Sequence, residues 1–131
     1  MKILLVEDDK IISENVKEYL SDNNFMVSVA LDWEKWLKEA LKNEYDLFIF
    51  DIMMPYISWI DLIKEIKSQN ISTPIILLTA KEDLETKEKW FLAWADDYIT
   101  KPFSLKELLL RIRSLLRRTN TNQWFNTITI W

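Results

Sequence analysis

Acidic, hydroxyl and amino side chains stand where apolar runs of this sequence give way to polar residues. Glu7 and Asp8 follow the first apolar run, Asp51 the third, Thr79 the fourth and Lys101 the fifth. Carboxylates that crowd together repel one another unless a cation neutralises them. Oxygen ligands without histidine or cysteine suit Mg²⁺, which keeps several waters and accepts one or two carboxylates. The set therefore predicts metal-assisted phosphoryl transfer.

Within this set Asp51 is the candidate nucleophile, because it stands alone at the end of the central apolar run. Lys101 would hold the phosphoryl oxygens as a point charge, together with the Thr79 hydroxyl and backbone N–H groups. Each residue also has a plainer interpretation. Asp51 and Thr79 could simply end strands, and Lys101 could be a surface lysine.

Composition removes several other kinds of chemistry. The 131 residues include no cysteine and no histidine, which excludes disulfide frameworks, thiolate chemistry, Ser-His-Asp triads and most zinc sites. A net charge of −4 argues against a chain-wide nucleic-acid surface. A basic stretch at 106–118 is better explained as a solvated helix face than as an interaction surface, which stays the alternative. The apolar runs are too short for a membrane span, and the start turns acidic too early for a secretory signal, so we expect a cytoplasmic protein without membrane partners.

The elements that would carry these residues alternate between strand and helix patterns. Mostly apolar stretches at 2–6, 25–30, 47–50, 75–78 and 98–100 indicate buried strands. Helical spacing follows each of them, at about 11–20, 33–43, 58–66, 84–93 and 105–116. The pattern predicts a doubly wound α/β fold, in which a five-stranded parallel sheet is covered by five helices and function collects at the carboxyl ends of the strands.

Helix starts are marked by residues that cap backbone N–H groups. Asp9, Asp32 and Asp83 are candidate N-caps, and Ser58-x-x-Asp61 and Ser104-x-x-Glu107 are spaced as capping boxes. We expect Ile11 and Ile12 to belong to the apolar face of the first helix. Leu37, Ala40 and Leu41 should face inward from the second.

Four segments, in order and at family spacing, carry a resemblance over about residues 2–118. They are ILLVEDD, DLFIFDIMMP, TPIILLTAKED and ADDYITKPFSLKELLLRIRSLLRR. The chain resembles the receiver domain of bacterial two-component response regulators, in particular the winged-helix DNA-binding subfamily. The resemblance implies a flavodoxin-like fold with strand order 2-1-3-4-5.

The resemblance also implies a role for each site residue. Asp51 would be the phosphoacceptor, and Lys101 would bond the phosphoryl oxygens next to a cis Lys101-Pro102 peptide. Thr79 and Tyr98 would form the switch pair, Tyr98 turning inward behind Thr79, although Tyr98 could be plain packing. The Ala80 backbone would contact the phosphoryl group. Mg²⁺, or Mn²⁺, would be held by Asp8, Asp51 and the Met53 main-chain carbonyl, with Glu7 acting through water.

As a function, the resemblance implies a signalling switch that accepts a phosphoryl group from a sensor histidine kinase and promotes only its own phosphotransfer and dephosphorylation. The surface of the fourth helix, fifth strand and fifth helix would change and form a homodimer that regulates transcription. Its ion pairs would join Lys87 to Glu107 and Asp97 to Arg111 across the two-fold axis. Two other functions stay open: a pseudo-receiver that binds proteins without being phosphorylated, and a hydrolase that uses the same magnesium site.

The last residues form a separate segment. Residues 1–118 are assigned to the receiver domain. We expect 119–131 to be a linker and the first strand of a winged-helix effector domain, through which alone DNA would be bound, with a disordered terminus as the alternative. That effector domain lies outside this chain.

The glycine and tryptophan counts are abnormal. The chain has no glycine, against about 7% in an average protein, and it has seven tryptophans. The resemblance implies glycine at 33, 59, 90 and 94 and a small residue at 36, yet each is tryptophan. Overpacking is expected at Trp36 and Trp90. A codon read as glycine in the source, deliberate substitution and an aromatic binding surface are the three explanations.

Overall fold

A computed structural model describes residues 1–52, 64–66, 68–69, 72–80 and 95–128 of the chain, without the side chains of 33 and 119–128. Five strands and three helices are assigned there. The strands are β1 (Lys2–Val6), β2 (Met26–Ala30), β3 (Leu47–Asp51), β4 (Ile75–Ala80) and β5 (Asp97–Lys101). The helices are α1 (Lys10–Asp22), α2 (Trp33–Lys42) and the C-terminal helix (Leu105–Ile128).

All strand pairs are parallel, and the sheet order is β2-β1-β3-β4-β5. Every residue of β3 and β4 is buried, as strands covered by helices on both faces require. The structure confirms the predicted sheet and its order. Residues 64–66 are helical. The rest of the predicted third helix and the whole of the predicted fourth lie outside the described residues.

Alternate residues of the strands feed two hydrophobic cores, one on each face of the sheet. Leu4, Phe48 and Phe50 belong to the core that includes α2 and Ile66. Leu5 and Ile49 belong to the other, which includes α1 and the C-terminal helix. Since burying one large apolar side chain contributes about 1.5–3 kcal/mol, these two layers fix the strands and hence their carboxyl ends.

Three of the predicted helix caps lie in the described residues and are confirmed. Asp9 Oδ1 accepts hydrogen bonds from the N–H groups of Ile11 and Ile12, at 2.9 and 3.1 Å. Asp32 Oδ1 accepts one from the Lys35 N–H at 2.9 Å. Ser104 Oγ accepts one from the Glu107 N–H at 3.0 Å. These short-range signals predicted the helix starts because a cap depends only on the first turn.

Two apolar residues that the pattern placed inward are exposed. Ile11 is 72% exposed, because α1 buries the face of Ser13, Val16 and Leu20, and position 11 lies opposite Ser13 on the helix. Leu41 is 50% exposed, because the buried stripe of α2 runs through Trp36 and Ala40 and leaves Leu41 at its margin. Both expectations were wrong.

Trp36 is fully buried at the helix–sheet contact where it was expected. Its ring meets Phe48 and Phe50 edge-on, with ring centroids 5.2 and 4.7 Å away. Its indole N–H has no hydrogen-bond partner among the described residues. The site therefore takes the large ring but leaves a buried donor unpaired, which costs about 1–3 kcal/mol.

The end of the chain differs from its expected conformation. Residues 119–128 continue the C-terminal helix, which is 24 residues long, so the expected strand does not form over this part. Neither proline nor glycine occurs between Leu105 and Ile128, so the usual helix-ending residues are missing. Among the described helices, none has the length and hydropathy needed to cross a bilayer. The boundary near 118 stays a prediction.

Candidate functional site

The carboxyl ends of parallel strands lie on the same side of the sheet, and the predicted site residues lie at these strand ends. Glu7 follows β1, Asp51 is the last residue of β3, and Lys101 is the last residue of β5. In β4, Thr79 pairs with Thr100 and Ala80 pairs with Lys101. The parallel arrangement thus converts distant sequence positions into neighbours.

Lys101 joins two of the carboxylates. Its Nζ donates to Asp51 Oδ2 at 3.0 Å and to Glu7 Oε1 at 3.2 Å. The side chains of Glu7 and Asp51 are 0% and 3% exposed, and that of Lys101 is 19% exposed. Charge-assisted hydrogen bonds in such a sheltered place are among the strong ones, so the ammonium and the two carboxylates are held in fixed positions.

The donor set fits a hard divalent cation. Glu7, Asp8 and Asp51 each offer an oxygen atom, and these atoms lie within 4.8 Å of one another. Glu7 Oε2 is buried and has no hydrogen-bond partner among the described residues. Asp8 is exposed while the other two are buried, so the cluster opens to solvent on one side. With Glu7 ionised, three carboxylates against one ammonium would leave negative charge that Mg²⁺ would balance.

Two ionisable neighbours of Asp51, Glu7 and Lys101, have shifted pKa values. Burial, then the hydrogen bond and negative charge of Asp51, raise the pKa of Glu7 from 4.5 to about 8, although Lys101 opposes the shift. Burial lowers the pKa of Lys101, but the hydrogen bonds and charges of Asp51 and Glu7 outweigh it, so that pKa lies above 10.5. At neutral pH Lys101 is therefore charged, and Glu7 is mostly protonated as long as no cation is bound.

The remaining predicted residues of this edge take different positions. Thr79 is buried, and its hydroxyl donates to the Ala80 carbonyl oxygen at 3.3 Å. Tyr98 is 41% exposed in the unphosphorylated chain. Its inward turn on phosphorylation stays a prediction. The Lys101-Pro102 peptide is cis, as predicted. A cavity of about 470 Å³ beside α1 is lined in part by Ala80 and Lys101.

Three of the residues predicted for a dimer interface pair within the chain. Arg111 Nη1 donates to Asp97 Oδ1 at 3.0 Å, and Arg111 Nε donates to Glu107 Oε1 at 3.4 Å. The predicted Asp97–Arg111 pair therefore exists here as an intrachain contact. Lys87 and Met53 lie outside the described residues.

Comparisons with known proteins agree on one family. The family model described as "Response regulator receiver domain" matches residues 3–113. The transcriptional regulatory protein CiaR of Streptococcus pneumoniae is 44% identical over 119 residues, covering 91% of this chain and 53% of that protein. The response regulator ArlR of Staphylococcus saprophyticus is 43% identical over 117 residues, covering 89% and 53%. The chain thus spans about half the length of these relatives.

Solved structures give the same result. The receiver domain of the Francisella response regulator 1452 superposes with a TM-score of 0.79 at 40% identity, covering 90% of this chain and 98% of that one. The response regulator TrrA of Thermotoga maritima, solved in complex with Mg²⁺-BeF, superposes with a TM-score of 0.76 at 34% identity, covering 87% and 97%. Both superpositions agree with the fold described above.

Proposed function

Because the chain belongs to the response regulator receiver family, we propose that Asp51 is its phosphoacceptor and that Lys101, Thr79 and the acidic cluster support the transfer. The supporting observation is the contact of Lys101 Nζ with Asp51 at 3.0 Å inside a group of three carboxylates. A pseudo-receiver is not favoured, because the acceptor, the acids and the lysine are all present and in contact.

In the proposed transfer an Asp51 carboxylate oxygen attacks phosphorus, and the bond from phosphorus to the donor's leaving atom breaks. The product is an acyl phosphate on Asp51, and the bonding pair leaves with the donor. Lys101 stays protonated at neutral pH, so its ammonium faces the developing negative charge. The Thr79 hydroxyl and the Ala80 N–H would donate to phosphoryl oxygens. We assign no separate enzymatic activity beyond this transfer and its hydrolysis.

The acidic cluster would hold the cation. Asp8 and Asp51 would bind Mg²⁺ or Mn²⁺ directly, Glu7 through water, and Met53 through its main-chain carbonyl. The ion would neutralise charge on the phosphoryl oxygens. In this chain the burial of Glu7 and Asp51 keeps the carboxylates oriented, while exposed Asp8 leaves the ion a path to solvent.

Phosphorylation adds about −1.5 to −2 charge at one edge of the sheet. It would draw Thr79 toward the phosphoryl group and let the exposed Tyr98 ring turn inward. We propose that this change allows a symmetric homodimer, in which Asp97 and Arg111 exchange their intrachain contact for one across the two-fold axis, and Lys87 pairs with Glu107. Exposed ion pairs contribute about 0–1 kcal/mol each, so apolar contact must add to them.

For the whole protein we propose a cytoplasmic transcription regulator. A sensor histidine kinase would supply the phosphoryl group, and DNA would be bound through a C-terminal domain that follows residue 131. Support comes from relatives that are named transcriptional regulatory proteins and are about twice the length of this chain.

The phosphoacceptor proposal is tested by incubating the protein with Mg²⁺ and acetyl phosphate and measuring its intact mass. We expect one phosphoryl adduct on the wild-type chain and none on Asp51→Asn. Asp22→Asn, at the exposed end of α1, is the matched control and should keep the adduct. An adduct that survives Asp51→Asn, or no adduct on wild type, would refute the assignment.

Dimerisation is tested by sedimentation of the phosphorylated chain. Asp97→Arg should lower the dimer fraction, and an equimolar mixture with Arg111→Asp should restore it, because the exchanged charges then pair between chains. Unchanged sedimentation of Asp97→Arg would count against this interface.

A further inference from the structure

Two aspartates at the amino ends of the strands, opposite the site, make the same kind of contact with a neighbouring strand. We propose that Asp46 and Asp96 are positioning residues, which lock two strand pairs at their amino ends and so set where Glu7, Asp51 and Lys101 meet. The inference rests on the proposed roles of Asp51 and Lys101. It adds two residues that touch neither the phosphoryl group nor the cation.

The first contact joins β3 to β1. The Asp46 N–H donates to the Lys2 carbonyl oxygen at 2.8 Å, and Asp46 Oδ2 accepts from the Lys2 N–H at 2.7 Å. One residue therefore binds both backbone groups of the residue opposite it. We call this two-point contact a carboxylate clamp.

The second carboxylate clamp joins β5 to β4. The Asp96 N–H donates to the Ile75 carbonyl oxygen at 2.9 Å, and Asp96 Oδ2 accepts from the Ile75 N–H at 2.8 Å. Among the described residues the other strand pairs begin differently. Their amino ends show single backbone bonds, from the Met26 N–H to the Met1 oxygen and from the Phe48 N–H to the Pro74 oxygen.

The clamps lie at a constant distance from the site. Asp46 stands five residues before Asp51, and Asp96 five residues before Lys101. The residues they bind, Lys2 and Ile75, stand five before Glu7 and Ala80. The register between clamp and site has no interruption in either pair. A clamp at the amino ends of two paired strands therefore fixes which residues lie side by side at their carboxyl ends.

The required accuracy shows why a lock is useful. One residue of a strand spans about 3.3 Å, and a slip by one residue also turns each side chain to the opposite face. The Lys101 contacts with Asp51 and Glu7 are 3.0 and 3.2 Å long, so a displacement well below one residue would break them. A carboxylate that accepts a backbone N–H forms a charge-assisted bond, which holds better than a neutral one.

The test compares Asp96→Ala with Asp32→Ala in the phosphorylation assay with Mg²⁺ and acetyl phosphate. Asp32 also accepts one backbone N–H, at 2.9 Å, but it caps α2, which carries no site residue. We expect Asp96→Ala to lower the phosphorylation rate about 10-fold or more, because displaced groups lose reactivity steeply. The phosphorylation rate of Asp32→Ala should stay within about twofold of wild type, because no reacting group is displaced.

A double-mutant cycle separates positioning from general loosening. In a Lys101→Ala background, Asp96→Ala should change the rate by less than about twofold, because its effect passes through Lys101.

Asp46→Ala should instead weaken Mg²⁺ binding, measured by calorimetry without phosphodonor. Asp46→Asn, which keeps an acceptor oxygen, should recover part of the affinity. Amide exchange should become faster at Ile75 in Asp96→Ala and at Lys2 in Asp46→Ala.

Each result decides the matter. A wild-type rate for Asp96→Ala, or its full effect retained without Lys101, would overturn the inference for that clamp, and unchanged Mg²⁺ affinity of Asp46→Ala would overturn it for the other. If an alanine variant does not fold, a leucine variant, which also lacks an acceptor oxygen and is closer in size to aspartate, is judged by the same criteria. Failure of the proposed function looks different, since the wild-type chain would then give no Asp51-dependent adduct while amide exchange still reported the clamps.

Discussion

Replacing Glu7 by glutamine should change how the stability of this protein depends on pH. Glu7 is fully buried, and its pKa is raised from 4.5 to about 8, first by burial and then by Asp51. Between these two pH values the folded protein therefore holds a proton that the unfolded chain releases. The stabilisation is fully present below about pH 4.5 and is lost as the pH rises through 8.

The size of the effect follows from the pKa shift. At about 1.4 kcal/mol per pKa unit, the change from 4.5 to about 8 corresponds to at most about 5 kcal/mol. We expect the free energy of unfolding of the wild-type chain to fall by about 2–5 kcal/mol between pH 5 and pH 8. The pKa of Lys101 lies above 10.5, outside this window, and the chain has no histidine.

Urea unfolding at pH 5, 6, 7 and 8, in the presence of a chelator, measures this dependence. Glu7→Gln should give a nearly flat profile and should be more stable than wild type at pH 8. Glu18→Gln, an exposed position on α1, is the matched control and should keep the wild-type slope. Adding Mg²⁺ to the wild-type chain at pH 8 should restore stability, because a cation offsets the buried negative charge.

A wild-type profile that is flat or rises toward pH 8 would refute this reasoning. The same conclusion would follow if Glu7→Gln kept the wild-type slope, since the titrating group would then be another residue. In either case the electrostatic description of the site would need revision, while the phosphoacceptor assignment would still be judged by intact mass.

Three further predictions concern the fold. Trp36→Phe should lower the free energy of unfolding by less than about 1.5 kcal/mol, because it removes a buried unpaired N–H while keeping most ring contacts. Trp36→Ala should lower it by about 3–5 kcal/mol. Equal losses for the two variants in urea unfolding would contradict the packing of this ring. Ser104→Ala should lower stability by about 1 kcal/mol through loss of the cap at Glu107, and an unchanged melting temperature would argue against that cap. Protein from the native source should have a lower intact mass than this sequence if one codon is read there as glycine; a mass that matches seven tryptophans would exclude that explanation.

Local patterns were sufficient for much of this protein. The apolar runs that end at Glu7, Asp51 and Lys101 predicted three strands and their polar ends, because a buried strand must be apolar and its end marks the return to solvent. The caps at Asp9, Asp32 and Ser104 were readable because a cap involves only its own helix turn. The spacing of these signals also indicated the parallel α/β sheet.

The sequence contains a pattern at the two clamps, but the pattern does not reveal the contact. Asp46 and Asp96 each precede a strand by one residue and a site residue by five, yet an aspartate before a strand is common enough to suggest only a turn. The structure shows that each side chain binds a backbone N–H of another strand. That partner cannot be read from spacing along one segment.

Arg111 and the last helix show the same limit. The resemblance implied pairing of Asp97 and Arg111 between two chains, which stays a prediction. The fold also brings Asp97, Glu107 and Arg111 together within one chain, a contact that the sequence did not indicate. The polar residues after 118 suggested a linker, yet the helix continues to Ile128. Sequence alone determined which side chains this protein can use and where its strands and helix caps begin. Only the tertiary structure decided which groups meet, how deeply Glu7 is buried and therefore where it titrates, because contact and desolvation depend on neighbours brought from distant parts of the chain.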